Sequence, residues 1–194
     1  MRLDVLEHGH RLPARLFQRI AALVSGEELD DVGKTALHRP EFFGKPFLAY
    51  VAEVLRGPSY WTPAEREYLA MVTSAANECP FCRRVHTEVA RLVSTGEVDV
   101  DTAAVRPELA ATATFLERLT RTPDDVTAAD LAPLRAAGVP DQAVVDALHV
   151  NAVFNLVNRL ANAFEWSWDS DAHVLAGAKA LKRFRYRLPG IFMR

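Results

Sequence analysis

Cysteine is scarce in this chain, with two residues in 194. That count excludes a disulfide-scaffolded domain and the zinc sites that need two cysteine pairs. No apolar run approaches the ~18 to 20 residues of a membrane span. The opening Met-Arg-Leu-Asp-Val-Leu-Glu-His carries acids where a secretory signal needs an uninterrupted apolar stretch. Charge of one sign is lacking too: 23 Lys and Arg face 25 Asp and Glu, a net charge of -2. No overall field invites nucleic acid or an anionic membrane, so neither is an expected partner, and the chain reads as a soluble cytoplasmic protein. With 49% hydrophobic residues, 194 residues are enough to bury a sizeable core, most simply as one domain.

Alternating β-branched stretches bounded by hairpin turns are also missing, whereas helix signals recur, so the fold class is all-α. Leu16, Phe17, Ile20, Leu23 and Val24 form one apolar stripe at helical spacing, and residues 40–55 form another before Gly57-Pro58. Thr62-Pro63-Ala64-Glu65 combines a capping hydroxyl, proline at the first helical position and a glutamate three residues after the cap. That helix should run to about Asn77. Pro80 opens another, to about Ser94, with Gly96 beyond its end; Pro107 opens a third, toward Thr120. The only plausible internal boundary is the loop over 96–106. Thr127 caps a short helix ending before Gly138. Pro140 opens the longest apolar segment, whose hydrophobic positions surround the helix and predict a central or interfacial place. A last helix is expected from Asp171 to about Tyr186. Its end carries Lys179, Lys182, Arg183, Arg185 and Arg187, read as cations complementing a helix C-terminus.

The cysteines are Cys79-Pro80-Phe81-Cys82. With Pro80 as first helical residue, Cys79 is the cap and Cys82 lies in the first turn. Free amides and the positive end of the helix dipole favour a thiolate there. His86 is one helical turn beyond Cys82 on the same face, a base beside a nucleophile. Cys79 is within disulfide reach of Cys82. Three other readings compete. Cys79, Cys82 and His86 supply three zinc ligands but no fourth. A thioredoxin-type pair needs a βαβ context that is absent. Two buried cysteines can also be chemically inert. The remaining histidines are weaker signals: His149 reads as a hydrogen-bonded core or interface residue. Asn151, Asn155, Asn158 and Asn162 recur along the same helix, either capping backbone or lining a pocket.

The stretch from Thr62 through Glu67, Cys79, Cys82 and His86 resembles the AhpD-like alkylhydroperoxidases of the carboxymuconolactone decarboxylase superfamily. Their signature is a glutamate, eleven residues, then Cys-x-x-Cys-x-x-x-His, and Phe154-Asn-Leu-Val-Asn158 is similar to the longer helix of peroxidase-related members. The resemblance spans about 40–166. It implies one all-helical domain over 1–194, with a helical extension over 1–39 and a C-terminal helix and basic tail over 167–194. It implies Cys82 as the thiolate that attacks a hydroperoxide, Cys79 as resolving thiol, and His86 with Glu67 as proton relay. No cofactor or metal is implied. A hydroperoxide substrate, a dithiol reductant such as a lipoyl or thioredoxin-like carrier, and a trimeric or hexameric assembly are. Some members carry a histidine where this chain has Phe81. The alternative function is a metal-binding or redox-sensing interaction module using Cys79, Cys82 and His86 without turnover. Decarboxylase chemistry fits less well, since the superfamily's named decarboxylases lack the cysteine pair.

Glu67 rests on the resemblance alone. It lies ~18 Å along its helix from Cys79, whereas His86 is ~10 Å down the next. In a plain antiparallel hairpin Glu67 stands level with Arg91, and a surface Glu67–Arg91 ion pair is the competing reading.

Overall fold

The structure, a computed structural model, describes residues 1–187. It is built from helices: α1 (Asp4–His8), α2 (Leu12–Ser25), α3 (Asp31–His38), α4 (Lys45–Arg56), α5 (Pro63–Ala76), α6 (Pro80–Val93), α7 (Pro107–Arg121), α8 (Ala132–Ala136), α9 (Asp141–Phe164) and α10 (Asp171–Phe184). A π-helical turn, Pro40–Gly44, leads into α4. The all-α class stands, with one small addition. Inside the expected loop, Val98 pairs with Val105 and Asp99 with Ala104 as a two-residue antiparallel ladder, too short for a sequence period to register.

The start of α5 is set by its capping box. Thr62 Oγ1 accepts from the Glu65 amide at 3.2 Å, and Glu65 returns the bond to the Thr62 amide at 2.8 Å. Arg106 then neutralises Glu65, which is 1% exposed. α5 and α6 form a tight antiparallel hairpin, α9 crosses α5 and α7, and α10 lies on α6. Leu55, Leu69, Leu109, Leu116, Val150 and Phe154 fill the space between these helices. Truncating one of the leucines to alanine costs about 2–5 kcal/mol, because a close-packed interior collapses only partly into the void.

α9 is central, as its all-round apolar pattern predicts, although Val145 and Leu156 still reach solvent. Most of the stripe on α2 faces outward: Leu16, Ile20, Leu23 and Val24 are exposed, as is Leu12, whereas Phe17 is half-buried and packs against Ala14 and Leu37. The last helix ends at Phe184, two residues earlier than expected. Arg185 and Tyr186 then adopt left-handed backbone, φ 50° and 64°. Residues 188–194 of the expected basic tail lie outside the described residues. Among the described residues no helix is long and apolar enough to cross a membrane.

Candidate functional site

Two cysteines meet where α5 breaks into α6. Asn77 caps α5, Glu78 turns through left-handed backbone (φ 52°), and the Cys79 amide donates to the Ser74 carbonyl at 2.9 Å. Cys79 is the N-cap residue of α6 and Pro80 its first helical residue. Proline fits there because the first amides of a helix have no internal partner. Both cysteines are free thiols and both are buried. Cys79 borders a surface recess of about 300 Å³ with Ala75, Glu78, Pro80 and Arg83, which Cys82 does not line.

The two sulfurs differ in acidity. Cys79 comes down from an ordinary 9.0 to about 7. The main cause is the Cys82 thiol, which offers its proton to the Cys79 sulfur. Burial opposes the shift, and the Cys82 amide, the Asn158 side chain and the Phe81 amide assist it. Cys79 makes no direct capping hydrogen bond, so the helix start acts through the proximity of its amides. Cys82 is pushed well up, first by holding its proton toward Cys79, then by burial and by the negative charge on Cys79. Of the two, the cap cysteine is therefore the one that ionises first, whereas the sequence points to Cys82.

Glu67 does not pair with Arg91, whose guanidinium binds Glu88 and Asp101. It is fully buried, and its Oε2 accepts from His86 Nδ1 at 2.7 Å. The surface ion pair is thus overturned, because Glu67 reaches a partner five residues nearer the turn than Arg91. Oε1 accepts from the Tyr186 hydroxyl at 2.6 Å and from the Arg56 guanidinium. Burial alone would raise this carboxyl. The hydrogen bond and charge of His86, the charge of Arg56 and the Tyr186 hydroxyl outweigh it and hold Glu67 below the usual range. With Nδ1 committed to Glu67, Nε2 is the ring nitrogen left for proton traffic. Phe154 meets the ring edge-on at 4.5 Å between centroids. Among the described residues no cluster of three or more His, Cys, Asp and Glu side chains is arranged to hold a metal ion.

Residues 42–117 match the Carboxymuconolactone decarboxylase family. An alkylhydroperoxidase AhpD core structure, an uncharacterized peroxidase-related protein from Ralstonia eutropha JMP134, is similar with a TM-score of 0.72 and 26% identity, over 90% of this chain and 95% of that one. An uncharacterized peroxidase-related protein from Silicibacter sp. TM1040 has the same TM-score at 23% identity, over 89% of this chain and 93% of that one. The family match and the likeness to these folds support the AhpD-like carboxymuconolactone decarboxylase superfamily. Comparison with curated proteins finds no match.

Glu67, Cys79, Cys82 and His86 all fall within the matched span, and the structure joins Glu67 to His86 and Cys79 to Cys82. Three further side chains belong to the site and were not singled out as functional from sequence. Arg56, at the end of α4, gave no signal beyond being a cation in a last turn. Tyr186 stands among the basic residues at the expected end of the last helix, yet it is buried on Glu67. Asn158 was one of a ladder of asparagines whose role was open. Its amide donates to Ser74 Oγ at 3.1 Å, its oxygen accepts from Asn77 at 3.1 Å, and its side chain favours the anion on both sulfurs. Asn151, Asn155 and Asn162 bond to Thr73, Thr120, Asn151 and the Asn77 carbonyl, so the ladder crosslinks α9 to its neighbours as well as serving the thiols. Phe81 stacks on Trp168 at 4.5 Å, which makes its position an aromatic one. His149 is bonded to Tyr50 at 2.8 Å, away from the thiols.

Proposed function

We propose that the chain is a dithiol-dependent peroxidase acting on an organic hydroperoxide. The observation that carries this reading is a free, partly ionised cysteine pair on the same hairpin as a histidine buttressed by a buried carboxylate. The peroxidase-related proteins that share its fold support it. Cys82 gives its proton to His86 and attacks the terminal peroxide oxygen. The O–O bond breaks, and the leaving alkoxide takes the proton back from the imidazolium as an alcohol. Cys82 is then a sulfenic acid. Cys79, as its thiolate, attacks that sulfur and expels hydroxide, which takes up the proton that Cys79 released to the solvent and leaves as water; the product is the Cys79–Cys82 disulfide. An external dithiol, of lipoyl or thioredoxin-like type, returns both thiols.

A second reading exchanges the two sulfurs. It is favoured by the lowered Cys79 thiol and its place beside the surface recess. Serine variants separate them under limiting hydroperoxide and a sulfenic-acid trap. On the first reading Cys79→Ser accumulates trapped Cys82, and Cys82→Ser turns nothing over. Trapped Cys79 in Cys82→Ser, with an unreacted Cys79→Ser variant, reverses the roles. Stoichiometric zinc with alkylation-resistant thiols would instead favour the metal-binding module. A trimer or hexamer is part of the same proposal, supported by the uncovered apolar face of α2.

A further inference from the structure

The end of α10 places an aromatic hydroxyl inside the relay, and the way it does so is specific. The left-handed pair Arg185 and Tyr186 reverses the chain after Phe184, and Arg185 donates to the Arg56 carbonyl at 3.0 Å. Tyr186 is thereby buried. The Arg56 guanidinium lies over its ring, 4.9 Å from the centroid, and the ring runs parallel to that of His86, 6.3 Å away. Its hydroxyl donates to Glu67 Oε1 at 2.6 Å and stands 3.5 Å from His86 Nδ1. A single left-handed non-glycine residue is uncommon, and two in succession that deliver one buried hydroxyl to a buried carboxylate form a built contact.

We propose that Tyr186 is a positioning residue of the relay, which fixes the Glu67 carboxylate so that Oε2 faces His86 Nδ1 and Nε2 is kept free to take the thiol proton. The division of the carboxylate is the argument. Tyr186 and Arg56 share Oε1, and His86 has Oε2 to itself. Without the hydroxyl, Oε1 keeps only Arg56, and the carboxylate is free to turn about its last bond and offer either oxygen to the imidazole. The charged and titratable side chains around Glu67 are Arg56 from α4, His86 from α6 and Arg66 beside it on α5, and Tyr186 adds a hydroxyl donor from beyond α10. Removing that donor raises the carboxyl, so a rate that needs ionised Glu67 falls off at higher pH than in the wild type.

This rests on the peroxidase reading for its kinetic arm only. The test uses the full chain with Tyr186→Phe, which keeps the ring and its contacts with Arg56 and His86. The expected result is a roughly tenfold drop in kcat with KM little changed, and an upward shift of the acidic limb of the pH–rate profile. In the reduced, histidine-labelled protein the His86 Nδ1–H proton resonance should move and exchange faster with water. A variant with wild-type kcat, the same acidic limb and an unmoved Nδ1–H resonance overturns the proposal. If the cysteine-to-serine variants both keep wild-type turnover, the peroxidase reading falls, and the resonance alone decides whether Tyr186 positions the pair. A thermal unfolding midpoint close to wild type confirms that the fold is intact in Tyr186→Phe.

Discussion

Cys79 holds its charge because it faces a proton donor, two backbone amides and an asparagine while remaining next to a recess in the surface. Alkylation of Cys79 should therefore rise through a pH of about 7, whereas Cys82 stays unreactive until well above 9.0, as measured by peptide-resolved mass spectrometry against pH. Two thiols alkylating together near 9.0 would show that the helix start does not polarise the pair. At this scale the sequence was legible where chemistry is local. Cys79, Cys82 and His86 lie within eight residues, and one helix fixes their relation. Glu67 needed a family pattern, because no period relates two helices across a break. Arg56 and Tyr186 gave no signal: Tyr186 is 119 residues from Glu67, and nothing in the run of basic residues around it announces a buried hydroxyl.

The α5–α6 hairpin is the element that makes a site out of these residues. Its tight connection, Asn77 to Cys79, is held from the side by α9, where Asn158 satisfies Ser74 and Asn77 together. Asn158 is fully buried, and Asn158→Ala removes its bonds to Ser74 and Asn77, which then keep only Ala70 and Asn155 as partners; the loss of two hydrogen bonds should destabilise the chain by about 1–3 kcal/mol in denaturant unfolding. The same variant should move the Cys79 alkylation curve to higher pH, since it removes a donor to the thiolate. An unchanged curve would confine Asn158 to a structural role. The proline-started helices and the Thr62 capping box were readable because each depends on three or four consecutive residues. The ends of elements were harder. α10 stops at Phe184 through a left-handed turn with no glycine to mark it, and the ladder at Val98 and Val105 is shorter than any period.

At the scale of the whole molecule, the helices bury the relay, and a surface recess borders Cys79. The apolar row Leu12, Leu16, Ile20, Leu23 and Val24 is the largest set of exposed aliphatic side chains on one described helix. A row of this kind is typical of a face covered in an assembly. Light scattering should find an oligomer, and Leu16→Glu with Leu23→Glu should shift it toward the monomer; a wild-type monomer at micromolar concentration would remove the trimer or hexamer from the proposal. The account as a whole depends on the cysteine pair doing chemistry. Its most direct test adds one equivalent of an alkyl hydroperoxide to the reduced chain and follows alcohol release and thiol state together. The account predicts one alcohol and one Cys79–Cys82 disulfide per chain, restored by a dithiol and absent in Cys82→Ser; intact thiols after the hydroperoxide, or alcohol formed equally well in both serine variants, would contradict it.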